Sequence, residues 1–253
     1  MKILVTGGTG TLGNSFVKNA LKDNIDVRIA SRRQPQEPLT EWSFLDLESG
    51  EGLKNSLLDV DVVLHAATSP VKNTSAIDVE GTKKLIEACK ESRVKHLIFP
   101  SIVGIESLPM AYYQSKTEAE KIIKEGGVPY TIVRATQFHS LMDSLFHTLT
   151  KFPLSILPGQ LKCQSVDVDE VASYLMELCQ LTPQGTVDDF GGPEILTLKE
   201  MYTVWEQHRH PKSLLIPLSY LPISLFKAMK EGKNTNIEQK RGKKTWEEWI
   251  KEN

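Results

Sequence analysis

Five short runs of almost unbroken aliphatic residues recur through the first half of the chain, KILVT, VRIAS, VDVVLHAAT, HLIFPSIV and YTIVRAT, and longer stretches of helical periodicity separate them. A strand that is apolar on both faces has to be covered on both faces, and helices crossing over between parallel strands do this. The covering segment VEGTKKLIEACKES fits that role, because Leu85, Ile86 and Cys89 share one helical stripe and the charges lie opposite. The pattern therefore predicts an α/β fold with a doubly wound parallel sheet.

At 253 residues the chain is long enough for one such domain and a small appendage. Past Thr150 the alternation fades and prolines accumulate, at 153, 158, 183, 193, 211, 217 and 222. The expected division is a nucleotide-binding core over residues 1–150 and a smaller, substrate-covering region over 151–253. Within the latter, DVDEVASYLMELCQL reads as a helix with Val168, Val171, Ala172, Leu175 and Cys179 inward and Asp167 as N-cap, packed back on the core. KKTWEEWIKEN spaces Trp246, Trp249 and Ile250 as a surface-packed helix. The apolar LLIPLSYLPISLF, interrupted by proline and serine, is too short to span a bilayer and is expected to line a pocket or a partner surface.

Charge and cysteine content narrow the function classes. Thirty basic residues against 32 acidic ones leave no polyanion-binding excess, which disfavours nucleic acid as a partner. Cys89, Cys163 and Cys179 are too scattered for a disulfide framework or a metal knuckle, so no metal is expected and a reducing, cytoplasmic setting is. No signal-like segment precedes the first strand. The expectation is a monomer or homodimer that takes a small molecule and does not engage a membrane.

The first run leads directly into TGGTGTLG and then into a helical pattern from Thr11 to Lys22. In such a strand–turn–helix, Gly7 permits the tight turn, Gly10 lets the backbone approach a pyrophosphate and Gly13 lets the helix pack closely on the sheet. The helix start, with Thr11 and Leu12 between the last two glycines, offers unpaired amides and a partial positive charge to phosphate. The spacing of the glycines is three and three, whereas the Rossmann fingerprint of many dehydrogenases has two and three.

After the second run the chain reads ASRRQ, where an acidic residue would hold a ribose 2′-hydroxyl. Ser31 can hydrogen-bond a 2′-phosphate and Arg32 or Arg33 can neutralise it, so NADP(H) is favoured over NAD(H). Asp46 and Leu47 follow a third strand, and Asp46 can accept from an adenine amino group or cap a helix. Ala66, Ala67 and Thr68 end the fourth strand, small enough for an adenine and ribose to approach the backbone. His65 beside them reads as a packed, hydrogen-bonded residue and not as a base.

In MAYYQSKTEAEKII, Tyr112 and Lys116 stand four apart at a helix start and share a face. A phenol needs a neighbouring cation to exchange protons near neutral pH, and Lys116 can supply it while holding ribose hydroxyls. Tyr113, three before Lys116, is the rival phenol. Ser101, at the end of the strand before, can hydrogen-bond a substrate carbonyl or alcohol.

Together TGGTGTLG, Asp46-Leu47, Ser101 with Tyr112-x-x-x-Lys116, and VDVDEVA resemble the short-chain dehydrogenase/reductase superfamily, in particular its atypical, NmrA-like NAD(P)H-binding branch. YYQSKTEAE, VPYTIVRATQFH and DFGGPEILTLKEM extend the resemblance over most of the chain. It implies a Rossmann-type fold, pyrophosphate on Gly7, Gly10 and Gly13, proton transfer by Tyr112 and Lys116, and substrate orientation by Ser101. It also implies that Gln137 and Phe138 of RATQFH lie beside the nicotinamide; from the residues alone they can equally begin a helix. The position that often carries a relay asparagine in the family is Asp78 here. Two functions follow from the resemblance. One is an NADP(H)-dependent oxidoreductase, an enzyme reducing a small carbonyl, quinone or enone. The other is a catalytically silent redox sensor that binds the same dinucleotide.

Overall fold

The computed structural model describes residues 1–35, 40–211, 213–217 and 224–253. In chain order the elements begin with β1 (Lys2–Thr6), α1 (Thr11–Lys22), β2 (Asp26–Ser31), β3 (Glu41–Phe44), α2 (Leu53–Ser56) and β4 (Val62–His65). A π-helical turn, Ser75–Gly81, runs straight into α3 (Thr82–Glu91), followed by β5 (His96–Ile102), α4 (Ala111–Glu125), β6 (Tyr130–Ala135) and α5 (His139–Leu149). The rest are β7 (Leu154–Leu157), β8 (Lys162–Cys163), α6 (Val168–Gln180), β9 (Gly185–Thr186), β10 (Leu196–Thr197), α7 (Leu198–Arg209), β11 (Leu214–Pro217), α8 (Ser224–Lys230) and α9 (Trp246–Glu252).

These elements form two compact units. The first comprises Met1–Ser101, Ala111–Val133 and Val171–Val187, and the second Ile102–Met110, Arg134–Glu170 and Asp188–Asn253. The single boundary expected at residue 150 is thus replaced by repeated exchange. The physical reason is that the first unit's sheet takes its last strand, β9, from residues beyond 150.

In the first unit, seven described strands form one parallel sheet in the order β3-β2-β1-β4-β5-β6-β9. Val5 lies opposite Ile29 of β2 on one side and Leu64 of β4 on the other. Strand order therefore reverses at β1. The crevice beyond the carboxyl ends of β1 and β4 is the switch point at which such sheets bind ligands. The five runs read from the sequence are β1, β2, β4, β5 and β6, and they are buried as a sheet covered on two faces requires: Leu4, Val63, Leu97 and Ile132 are fully inaccessible. Leu85 and Cys89 of α3 and Ile123 of α4 pack in the same cluster.

Helix α1 buries Phe16, Val17 and Ala20, and its neighbour in this unit is α6, where Asn19 Nδ2 donates to Ser173 Oγ at 3.2 Å. Helix α6 buries Val171, Ala172, Leu175 and Cys179 as its periodicity predicts, while Val168, also expected inward, is half-buried at the first helical position, and Asp167 Oδ1 caps the helix by accepting from the Asp169 amide at 2.9 Å.

The second unit has its own core around Phe146, Trp205, Leu157, Met201 and Trp246. Helices α7 and α9 each start with a reciprocal capping box, Thr197 with Glu200 and Thr245 with Glu248. The second box fixes the start of α9, whose Trp246 and Ile250 are buried, and the Trp246 indole donates to the Met201 carbonyl at 2.9 Å. The segment LLIPLSYLPISLF contributes β11, paired in parallel with β7, and the start of α8; residues 218–223, within the stretch expected to line a pocket, lie outside the described residues. Among the described residues no helix is long and apolar enough to cross a membrane.

Candidate dinucleotide and proton-transfer site

The glycine loop leaves β1 at the switch point. Gly7 has φ +70°, a left-handed conformation, and a Cβ there would lie 2.7 Å from the Ala67 backbone. At Gly13 a Cβ would sit 2.3 Å from the Gly7 carbonyl oxygen. Gly10 is the N-cap of α1 and makes no side-chain cap, so the amides at this helix start keep their capacity for an external acceptor. Thr11 and Leu12 are the first two helical residues. These residues fit a pyrophosphate: a crowded backbone cradle, closed by any larger residue, faces the amino end of a helix.

Across the switch point, β4 ends in His65 and passes into Ala66, Ala67 and Thr68. His65 is fully buried. Thr82 Oγ1 donates to the Asp78 carbonyl oxygen at 2.7 Å, so at 3.0 Å it accepts from His65 Nε2; Nδ1 then accepts from Thr6 Oγ1 at 2.8 Å. The tautomer follows from this donor accounting. Burial, with the nearby Lys116 charge, lowers the imidazole to about 3. It is a neutral structural bridge between β1 and α3, as the sequence suggested.

Around the adenosine end, the residues predicted for NADP(H) are arranged less simply. Arg32 and Arg33 are exposed just past β2. Ser31, offered as a phosphate donor, already gives its proton to the Arg33 carbonyl at 2.8 Å and accepts from the Trp42 indole at 3.0 Å. It shapes the arginine turn here, and a phosphate would have to displace the first of these bonds. Asp46 Oδ1 accepts from the Glu48 amide at 3.0 Å, a local turn, and no helix begins there: α2 starts after Gly52. Leu47 is buried in the core cluster.

The chemistry-bearing side chains converge from β4, β5, the π-helical turn and α4. Lys116, 3% exposed, places Nζ 3.3 Å from Asp78 Oδ1, and Asp78 is 1% exposed. Asp78 Oδ1 also receives the Thr68 hydroxyl at 2.6 Å, and Oδ2 receives the Ser69 amide at 3.0 Å. Thr68 Oγ1 lies 3.1 Å from Tyr112 Oη. The Lys116 ammonium stands 4.6 Å from the Phe99 ring centroid and 6.0 Å from that of Tyr112. Ser101 is buried, and its Oγ has no hydrogen-bond partner among the described residues. An orphaned hydroxyl of this kind is what a substrate or cofactor oxygen would satisfy.

One expectation changes. Lys116 was to lower the Tyr112 phenol, but its charge is met by Asp78, and burial raises the phenol to about 12, with Asp78 adding to the rise and Thr68 opposing it. Burial likewise depresses Lys116, against the pull of Asp78. Of the two tyrosines, Tyr112 is the one joined to the cluster through Thr68; Tyr113 meets it edge to face at 6.0 Å.

Gln137 and Phe138 belong to the second unit. Phe138 is the N-cap of α5 and half-buried, and Gln137 Oε1 accepts from Cys163 Sγ at 3.4 Å. The sequence reading missed Phe99 beneath Lys116. Strand alternation was the available signal, since Phe99 and Ser101 are two apart on β5. The Asp78–Lys116 pair had no local signal, because 38 positions separate its members.

Photosystem II assembly factor Ycf39 of Cyanophora paradoxa is 33% identical over 147 residues, 54% of this chain and 46% of that one. The chain spans about half the length of the curated relatives it matches. Among solved structures, a nucleoside-diphosphate-sugar epimerase from Staphylococcus aureus superposes with a TM-score of 0.81 at 19% identity, over 99% of each chain. The Citrobacter sp. triphenylmethane reductase complexed with NADP(H) does so at 0.80 and 16%, over 100% of this chain and 99% of that one. These two likenesses concern the fold. The family model described as NAD(P)H-binding matches residues 7–180, more than half of the chain. The chain belongs to this NAD(P)H-binding family.

Proposed function

We propose that the protein is an NADP(H)-dependent reductase of a small carbonyl, quinone or enone. The observation that carries this reading is that one sheet bears both the glycine cradle, at the point where strand order reverses, and Ser101, whose hydroxyl has no hydrogen-bond partner among the described residues and which precedes the helix carrying Tyr112 and Lys116. In this reading the amides after Gly10 hold the pyrophosphate, Arg32 and Arg33 hold the 2′-phosphate, and Ser101 donates to the substrate oxygen. When bound, the reduced dinucleotide would supply hydride chemistry, and Tyr112 would give its proton to the substrate oxygen. Tyr112 is afterwards reprotonated from water.

A second reading, binding without turnover, is supported by the high phenol value and by the pairing of Lys116 with Asp78, which draws that charge away from Tyr112. The likeness to an assembly factor supports it too. Calorimetry with NADPH, followed by its oxidation with a panel of quinones and aldehydes, separates the two. The reductase reading expects saturable heat and consumption that falls at least about tenfold in Tyr112→Phe. Binding without consumption favours the second reading, and no binding by folded protein overturns both.

A further inference from the structure

We infer that Asp78 is a positioning residue that commits the Lys116 charge to the interior and, through the Thr68 hydroxyl, holds Tyr112 as a proton donor. The use made of that proton rests on the reductase reading; the arrangement itself involves only this chain's residues.

The Thr68 hydroxyl has one proton and two oxygen neighbours. At 2.6 Å the Asp78 carboxylate takes that proton, so the remaining 3.1 Å contact is satisfied when Tyr112 donates to Thr68. Ionising Tyr112 would require the Thr68 proton to turn from the carboxylate to the phenolate, and Asp78 would lose its shortest hydrogen bond. Protonation of Tyr112 and solvation of Asp78 are therefore linked through one rotor. The second link is electrostatic. The Lys116 ammonium stands 6.0 Å from the Tyr112 ring centroid, but its charge is opposed by a carboxylate 3.3 Å away in an interior where both are almost fully buried. The site so arranged gives a proton to a developing alkoxide more readily than it takes one from an alcohol.

The other titratable groups acting on the cluster are few among the described residues. His65 of β4 is neutral, Tyr113 adjoins Tyr112, and Glu120, one turn along α4 from Lys116, is itself paired with Lys124 at 3.1 Å. None substitutes for Asp78. Burial is the largest cause of the raised phenol value and the Asp78 charge adds to it; a Thr68 hydroxyl turned toward the phenol acts the other way, and that is the rotation the Asp78 carboxylate opposes.

The test is a titration of tyrosinate absorbance in unliganded protein, with the Tyr112→Phe curve subtracted so that only Tyr112 is read. Wild type is expected to show no Tyr112 phenolate below about pH 11. In Asp78→Asn, folded by circular dichroism and corrected with Asp78→Asn/Tyr112→Phe, the midpoint is expected to fall by at least about one unit, roughly tenfold more phenolate at a given pH. A wild-type midpoint at the ordinary tyrosine value of about 10 or below overturns the inference, and so does an unmoved midpoint in folded Asp78→Asn. If that variant does not fold, Thr68→Val, which removes the linking hydroxyl, is read in the same way, and an unmoved midpoint there overturns the inference. No cofactor is present, so failure of NADPH to bind would overturn the functional reading and leave this result standing, and the reverse also holds.

Discussion

Gly7 shows how little freedom a single position in this site has. Its left-handed φ and the 2.7 Å approach of Ala67 act together, so Gly7→Ala has to strain the turn and push apart the ends of β1 and β4. The expected outcome is a loss of about 1–3 kcal/mol in urea unfolding, with disappearance of the NADPH binding heat. His65 is constrained differently. Its folded value of about 3 is far below the ordinary 6.5, so the unfolded chain binds the proton first as pH falls. Stability is then full above about pH 6.5 and is lost on acidification from 6.5 toward 3, at up to about 1.4 kcal/mol per unit. His139, held by Ser165 and the Lys244 carbonyl and lowered by burial to about 4, acts in the same direction. Urea midpoints measured against pH should therefore fall across this window, and His65→Gln should flatten the slope.

At the level of elements, the proposed preference for NADP(H) rests on the arginine turn after β2. If Arg32 and Arg33 both meet a 2′-phosphate, Arg32→Ala/Arg33→Ala should lower affinity for NADPH relative to NADH on the order of a hundredfold, an effect that shrinks with salt. Competition calorimetry at two ionic strengths checks both parts. Elements were also the scale at which the sequence was most legible. The helix read from Thr11 to Lys22 is α1 with those limits, and all five apolar runs are strands, because continuous aliphatic sequence is hard to satisfy outside a doubly covered sheet. The glycine cradle was legible because each glycine answers to a local backbone requirement. The Asp78–Thr68–Tyr112 connection was not, since it depends on how the π-helical turn Ser75–Gly81 presents Asp78 to α4, and no periodicity encodes that. Ser31 was only partly legible: its donation to the Arg33 carbonyl is local, whereas the Trp42 indole that donates to it comes from the adjacent strand.

Across the whole molecule, the sequence suggested a cut near residue 150, and the two units instead share out the chain in several pieces. Composition marked where the alternation fades, but which unit a helix joins depends on long-range pairing that local pattern does not contain. A fragment of residues 1–150 would lack Val171–Val187, with most of α6 and all of β9. It is expected to unfold without a cooperative transition by calorimetry, whereas the full chain shows one; a sharp transition in the fragment would contradict this. The late origin of β9 also bears on how the protein is made. When β6 leaves the ribosome, the strand that will cover its outer edge has not been translated, and at about 5–20 residues per second it follows only several seconds later. For that interval the nascent sheet presents a bare backbone edge, and holding chaperones or stray strands would meet it there first.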